Sequence, residues 1–62
     1  MMPYVNLQLI GTLTKDQKRQ IVGEFCDTLE RVAGKPADHT YVVIDEVDRE
    51  NWGKGRKLFS DM

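Results

Sequence analysis

The sequence predicts an α/β fold: a single βαβ unit with a parallel two-strand core and a hairpin-like C-terminal tail, completed by oligomerisation. Three observations predict it. Residues 4–10 alternate apolar and polar, residues 15–33 carry apolar side chains at helical spacing between clear start and stop signals, and residues 41–47 form a β-prone run. A strand, a helix and a strand joined by short turns imply a right-handed crossover and therefore a parallel pair.

The first strand is Tyr4-Val5-Asn6-Leu7-Gln8-Leu9-Ile10, with Val5, Leu7 and Leu9 on one face and Tyr4, Asn6, Gln8 and Ile10 on the other. Pro3 stands at its mouth. Where translation begins at Met2, Pro3 is the penultimate residue, and removal of the initiator leaves it a free secondary amine that can serve as general base or nucleophile. Where translation begins at Met1, the large Met2 blocks trimming and the nitrogen stays acylated. The plainer role of a proline here is to open an edge strand.

Gly11-Thr12-Leu13 breaks the strand, and Thr14 followed by Gln17 has the form of a capping box, so the helix is expected from Lys15. Ile21, Val22, Phe25, Cys26, Leu29, Val32 and Ala33 recur at steps of three and four and form its packing face, while Lys15, Lys18, Arg19, Asp27, Glu30 and Arg31 are assigned mostly to solvent. Gly34 ends the helix and Pro36 prevents its resumption. The second strand, Tyr41-Val42-Val43-Ile44 continued by Asp45-Glu46-Val47, is apolar on both faces. One helix covers one face of a two-stranded sheet, so a second subunit is expected to cover the other. After the polar loop Asp48-Arg49-Glu50-Asn51, Gly53 and Gly55 mark a tight reversal, and Leu58 and Phe59 form an apolar tail that seeks a neighbour.

Composition restricts the function classes. Sixty-two residues make one small domain, residues 1–62, with a core that is marginal alone. Cys26 has no cysteine partner, and nothing around His39 has zinc-ligand spacing, so neither a disulfide nor a metal staple is expected. Nine Lys and Arg against ten Asp and Glu leave a net charge of -1, with no broad basic field for nucleic acid. No apolar run reaches membrane-spanning length and no secretory leader pattern precedes the fold, so a cytoplasmic, reducing setting is expected. Cys26 lies on the apolar helix face and reads as a small hydrophobe, and His39 as a polar turn residue.

Pro3 at the head of a strand, the helix start Thr14-Lys15-Asp16-Gln17-Lys18, the strand Val42-Val43-Ile44-Asp45-Glu46 and the segment Trp52-Gly53-Lys54-Gly55 together resemble the 4-oxalocrotonate tautomerase family over nearly the whole chain. The resemblance implies a homo-oligomer, most simply a hexamer built as a trimer of dimers, in which each subunit supplies an amino-terminal proline and borrows binding groups from its neighbours. It implies no cofactor and a small enol or keto acid as substrate. The proline would act as general base, moving a proton within a 2-hydroxy-dienoate so that a dienol becomes an enone. Trp52 holds the family's aromatic position, usually phenylalanine, where it walls the site against water or anchors an interface, two compatible roles. Ile10, Leu13 and Tyr41 complete the implied substrate-binding set with Trp52.

The departures from the pattern bear on the substrate. Members acting on dicarboxylates carry arginines at the positions of Leu13 and Tyr41 here. Tyr41 still offers a hydroxyl, whereas Leu13 offers apolar surface, so a smaller or more apolar acid is expected. Arg49, Lys54 and Arg56 flank Trp52 and either restore positive charge or remain solvated surface cations. Two further functions stand beside tautomerisation: decarboxylation or hydration of an unsaturated acid with Pro3 cationic, and a non-catalytic assembly subunit.

Overall fold

The first strand, β1, runs from Tyr4 to Ile10, and its burial alternates residue by residue: Val5, Leu7 and Leu9 are half-buried, Tyr4, Asn6 and Gln8 exposed. The computed structural model describes residues 3–62; the processing alternatives at Met1 and Met2 lie outside the described residues. The helix, α1, spans Lys15–Ala33. Thr14 Oγ1 accepts a hydrogen bond from the Gln17 N–H at 3.1 Å, and Gln17 Oε1 accepts one from the Thr14 N–H at 2.9 Å. This reciprocal box satisfies donors the first turn leaves open, an effect worth about 1 kcal/mol for such a cap. Gly34 closes the helix in the left-handed conformation, φ 67, and its N–H and that of Lys35 return to the carbonyls of Glu30 and Leu29.

The second long strand, β2, spans Tyr41–Val47 and pairs in parallel with β1, Tyr4 opposite Tyr41 through to Ile10 opposite Val47. In that register Val42 and Ile44 share the inner face with Val5 and Leu7, toward the helix. Tyr4 and Tyr41 stand 61 and 56 % exposed on the outer face, and Val43 40 %. The uncovered sheet face anticipated from the sequence is therefore present in the single chain.

On the helix, Ile21, Val22, Phe25 and Leu29 are half-buried and Cys26 is buried, as the periodicity predicts, but Val32 is 71 % exposed and Ala33 is exposed too. The last turn is tied to the turn that follows, the Glu30 carboxylate accepting the Ala37 N–H at 3.1 Å, but that contact leaves Val32 uncovered. Lys18, assigned to solvent by its spacing, instead reaches β2.

Beyond Val47 the chain turns through Arg49–Asn51 and forms a short antiparallel hairpin, β3 (Gly53–Lys54) and β4 (Lys57–Leu58), followed by a final turn over Phe59–Asp61. Gly55, φ 63, is the first of two residues joining the strands, with negative φ at Arg56, the arrangement of a II′ turn. Gly53 carries no such requirement, since a methyl group there would sit 3.6 Å from the Lys57 carbonyl, an ordinary contact.

This arm packs chiefly on itself and makes the molecule long, 43 × 25 × 15 Å, with a radius of gyration of 14.7 Å. A compact chain of this length would have about 11 Å. The accessible surface is 5114 Å², against about 4,100 Å² for a compact monomer of this mass. Among the described residues no side chain is fully buried.

Candidate functional site

The sequence nominates Pro3, Ile10, Leu13, Tyr41 and Trp52, and the structure divides them among three places. Pro3 and Tyr41 are neighbours: the Tyr41 N–H donates to the Pro3 carbonyl at 2.9 Å, extending the parallel ladder one step beyond Tyr4. The carbonyl of Pro3 thus enters the sheet, while its nitrogen, having no amide proton, takes no part in the ladder. Pro3 is half-buried and Tyr41 exposed. The ladder thus holds the proline by its own carbonyl.

Ile10 and Leu13 are at the opposite end. Ile10 closes the ladder opposite Val47, and Leu13 follows it in the connection to α1. Seven residues of strand separate this end from Pro3 by roughly 20 Å. Trp52 leaves from that same far end, five residues after Val47, and packs edge-on against Phe59 with ring centroids 6.4 Å apart. Its carbonyl accepts the Phe59 N–H at 2.8 Å, which ties the base of the hairpin.

A group not singled out for a role in the sequence organises the Leu13 end. Glu46 ends the inner face of β2, the face toward the helix, where α1 begins. One carboxylate oxygen accepts the Leu13 N–H at 2.7 Å and the other accepts Lys18 Nζ at 2.7 Å. The Lys18 ammonium first, and the Leu13 N–H second, hold the Glu46 carboxyl below the usual carboxylate range. Glu46 therefore fixes the loop that carries Leu13. Arg19 pairs with Asp16 on the exposed helix surface. Neither pair places a cation beside Tyr41.

Leu13, Gln17, Gln20, Ile21 and Glu24 line a shallow cavity of about 260 Å³. A second, of about 300 Å³ and mostly apolar, lies between Val5 and the Phe25, Thr28 and Leu29 side of the helix. Neither contains Pro3. Among the described residues no three His, Cys, Asp or Glu side chains are grouped to hold a metal ion, and no helix is long and apolar enough to cross a membrane.

Comparison with known proteins follows the same outline. The tautomerase family profile, described as Tautomerase enzyme, matches residues 3–62. A Dickeya dadantii protein named Probable tautomerase K2 is 38 % identical over 55 residues, 87 % of this chain and 82 % of its own length. Among solved structures, DmpI from Helicobacter pylori superposes with a TM-score of 0.84 at 32 % identity, covering 95 % of this chain and 92 % of its own. A 4-oxalocrotonate tautomerase homologue gives 0.86 at 30 % identity, covering 98 % and 97 %.

Proposed function

Because the chain belongs to the tautomerase family, we propose that it is an isomerase that moves a proton within a 2-hydroxy-dienoate or related enol acid, with the Pro3 nitrogen as general base. The observation that carries this reading is the anchoring of Pro3 through its carbonyl alone. With no residue before it, the nitrogen is a secondary amine held at the head of a rigid strand. It takes a proton from one position of the conjugated acid and returns it at another, the double bonds shifting between, so that a dienol becomes an enone and no atom is lost. Apolar walls favour the neutral amine that a base needs at neutral pH.

The reading requires more than one copy of the chain. Ile10, Leu13 and Trp52 lie at or leave from the end of the sheet opposite Pro3 and Tyr41, so a pocket holding all five takes its far-end groups from a neighbour. The uncovered faces of Tyr4, Tyr41 and Val43 and the outstretched arm supply the surface for that association, most simply as a homohexamer. With Leu13 and Tyr41 at the arginine positions, the preferred substrate is a monoacid with an apolar body.

The test compares two preparations in the ketonisation of phenylenolpyruvate. A chain beginning at Pro3 should turn over, and one retaining Met1-Met2 should be slower by about 10²- to 10⁴-fold, because an amide nitrogen cannot accept the proton. Equal rates would end the proline mechanism.

A further inference from the structure

The C-terminal hairpin gathers two rings and two ammonium groups on one face. In its register Lys54 lies opposite Lys57 and Gly53 opposite Leu58. Side chains alternate along each strand, so Trp52 and Lys54 share a face, and Lys57 and Phe59 share the same one. The Trp52 and Phe59 rings, 6.4 Å apart, meet as that alternation requires. Gly53 and Leu58 occupy the reverse side.

Two like charges directly across an antiparallel pair repel, so Lys54 and Lys57 are an unfavourable choice for the hairpin itself. Neither takes part in an ion pair among the described residues, where the pairs are Lys18 with Glu46 and Arg19 with Asp16. A general basic field is no explanation either, because the net charge of the chain is -1. Both lysines are exposed. The ring pair begins about 7 Å along the strands from the lysine pair, the scale of a short conjugated acid.

We propose that this face of the hairpin binds a carboxylate, Lys54 and Lys57 closing on the anion and Trp52 with Phe59 lying against the unsaturated chain attached to it. The inference deepens the proposed function and rests on it for the identity of the acid: it supplies the cation that Leu13 and Tyr41 cannot, and it delivers that cation on an arm already extended away from its own sheet. Two ammoniums flanking one carboxylate replace mutual repulsion with two charge-assisted hydrogen bonds. The rings add specificity for flat, conjugated acids over saturated ones.

Trp52 is the one tryptophan of the sequence and reports directly on this face. Sorbate, an unreactive conjugated monoacid, should quench its fluorescence saturably in the full chain, and the uncharged sorbamide should bind at least about tenfold more weakly. Lys54→Met with Lys57→Met should raise the sorbate Kd by about tenfold or more, while the charge-matched Lys15→Met with Lys35→Met should change it by less than about twofold. Lys54→Arg with Lys57→Arg should retain binding. The same comparison with Lys57→Gln alone, and retained circular dichroism, separates lost binding from lost folding.

The proposal is overturned if sorbate gives no saturable quenching, if sorbate and sorbamide bind alike, or if the two double methionine variants behave alike. A lysine-pair variant that binds sorbate normally but assembles into smaller species overturns it too, assigning the pair to a carboxylate of a neighbouring copy. Because this readout needs no turnover, a protein that binds sorbate through the lysines but leaves enol acids unchanged would retire the isomerase reading alone. Turnover with lysine-independent binding would retire this inference alone.

Discussion

Between Tyr4 and Val47 the strand ladder, the Thr14–Gln17 box, the Gly34 closure and the Glu46 bridge to Leu13 and Lys18 tie neighbouring elements to one another. Between Asp48 and Met62 the chain contacts chiefly itself and presents Trp52, Lys54 and Lys57 away from that body. The body fixes a proline and a tyrosine at one end of a rigid strand pair. The arm carries Trp52, Lys54 and Lys57, the aromatic and cationic groups that the proposed proline base would use, and connectivity sends it off from the opposite end. One chain thus keeps Pro3 and Tyr41 apart from Ile10, Leu13 and Trp52, and the proposed site requires association to bring them together.

The largest consequence is assembly. Sedimentation of the wild-type chain at micromolar concentration should show no appreciable monomer, since a chain this size is marginal alone when, among the described residues, Cys26 is the one buried apolar residue. A dominant 7.2 kDa species would contradict association and leave the arm a mere extension.

A smaller effect sharpens the role of the body's far end. Leu13→Arg places a cation on the loop that Glu46 holds in place, and should raise kcat/KM for a diacid such as 2-hydroxymuconate selectively, by about 1.5 to 3 kcal/mol or roughly ten- to a hundredfold. Measured kcat and KM for mono- and diacids decide it. If wild type already prefers the diacid by orders of magnitude, the arm's cations serve both carboxylates and Leu13 is no determinant of substrate.

The smallest effect concerns Glu46 itself. Its carboxyl is held below the usual range in the folded chain, so the stabilisation is fully present above the ordinary value of 4.5 and is lost as pH falls through the lower folded value. Glu46→Gln keeps an acceptor for the Leu13 N–H but gives up the Lys18 pair. Its Tm should lie below wild type at neutral pH, and the gap should close on acidification. A gap that is constant or widens toward low pH would show that the bridge to Lys18 contributes nothing to holding the loop.

What could be read in advance follows the range of the interactions. The bounds of both long strands and of the helix rest on neighbours three or four residues apart, as in the Thr14–Gln17 box, or on a single conformational requirement, as at Gly34. Glu46 was visible only as part of a strand, because its partners Lys18 and Leu13 lie 28 and 33 residues away, and helical periodicity alone sends Lys18 to solvent. Val32 continues the apolar period yet is exposed in the single chain. The shared face of Trp52, Lys54, Lys57 and Phe59 becomes apparent only once the hairpin register is known. The division of Pro3 and Tyr41 from Ile10 and Leu13 follows from the parallel strand order that the sequence implies, whereas the meeting of Trp52 with Phe59 depends on the hairpin register.

That separation can be tested by complementation. A chain retaining Met1-Met2 lacks the proline base but has an intact arm, and a Trp52→Ala chain beginning at Pro3 has the base but lacks the ring. Each alone should have little turnover of phenylenolpyruvate. Unfolded together in equal amounts and refolded, they should recover up to about a quarter of wild-type activity, the share of sites in which random association joins an intact proline to an intact neighbouring arm. Mixed refolding that recovers no more than the sum of the two variants would contradict a site shared between copies.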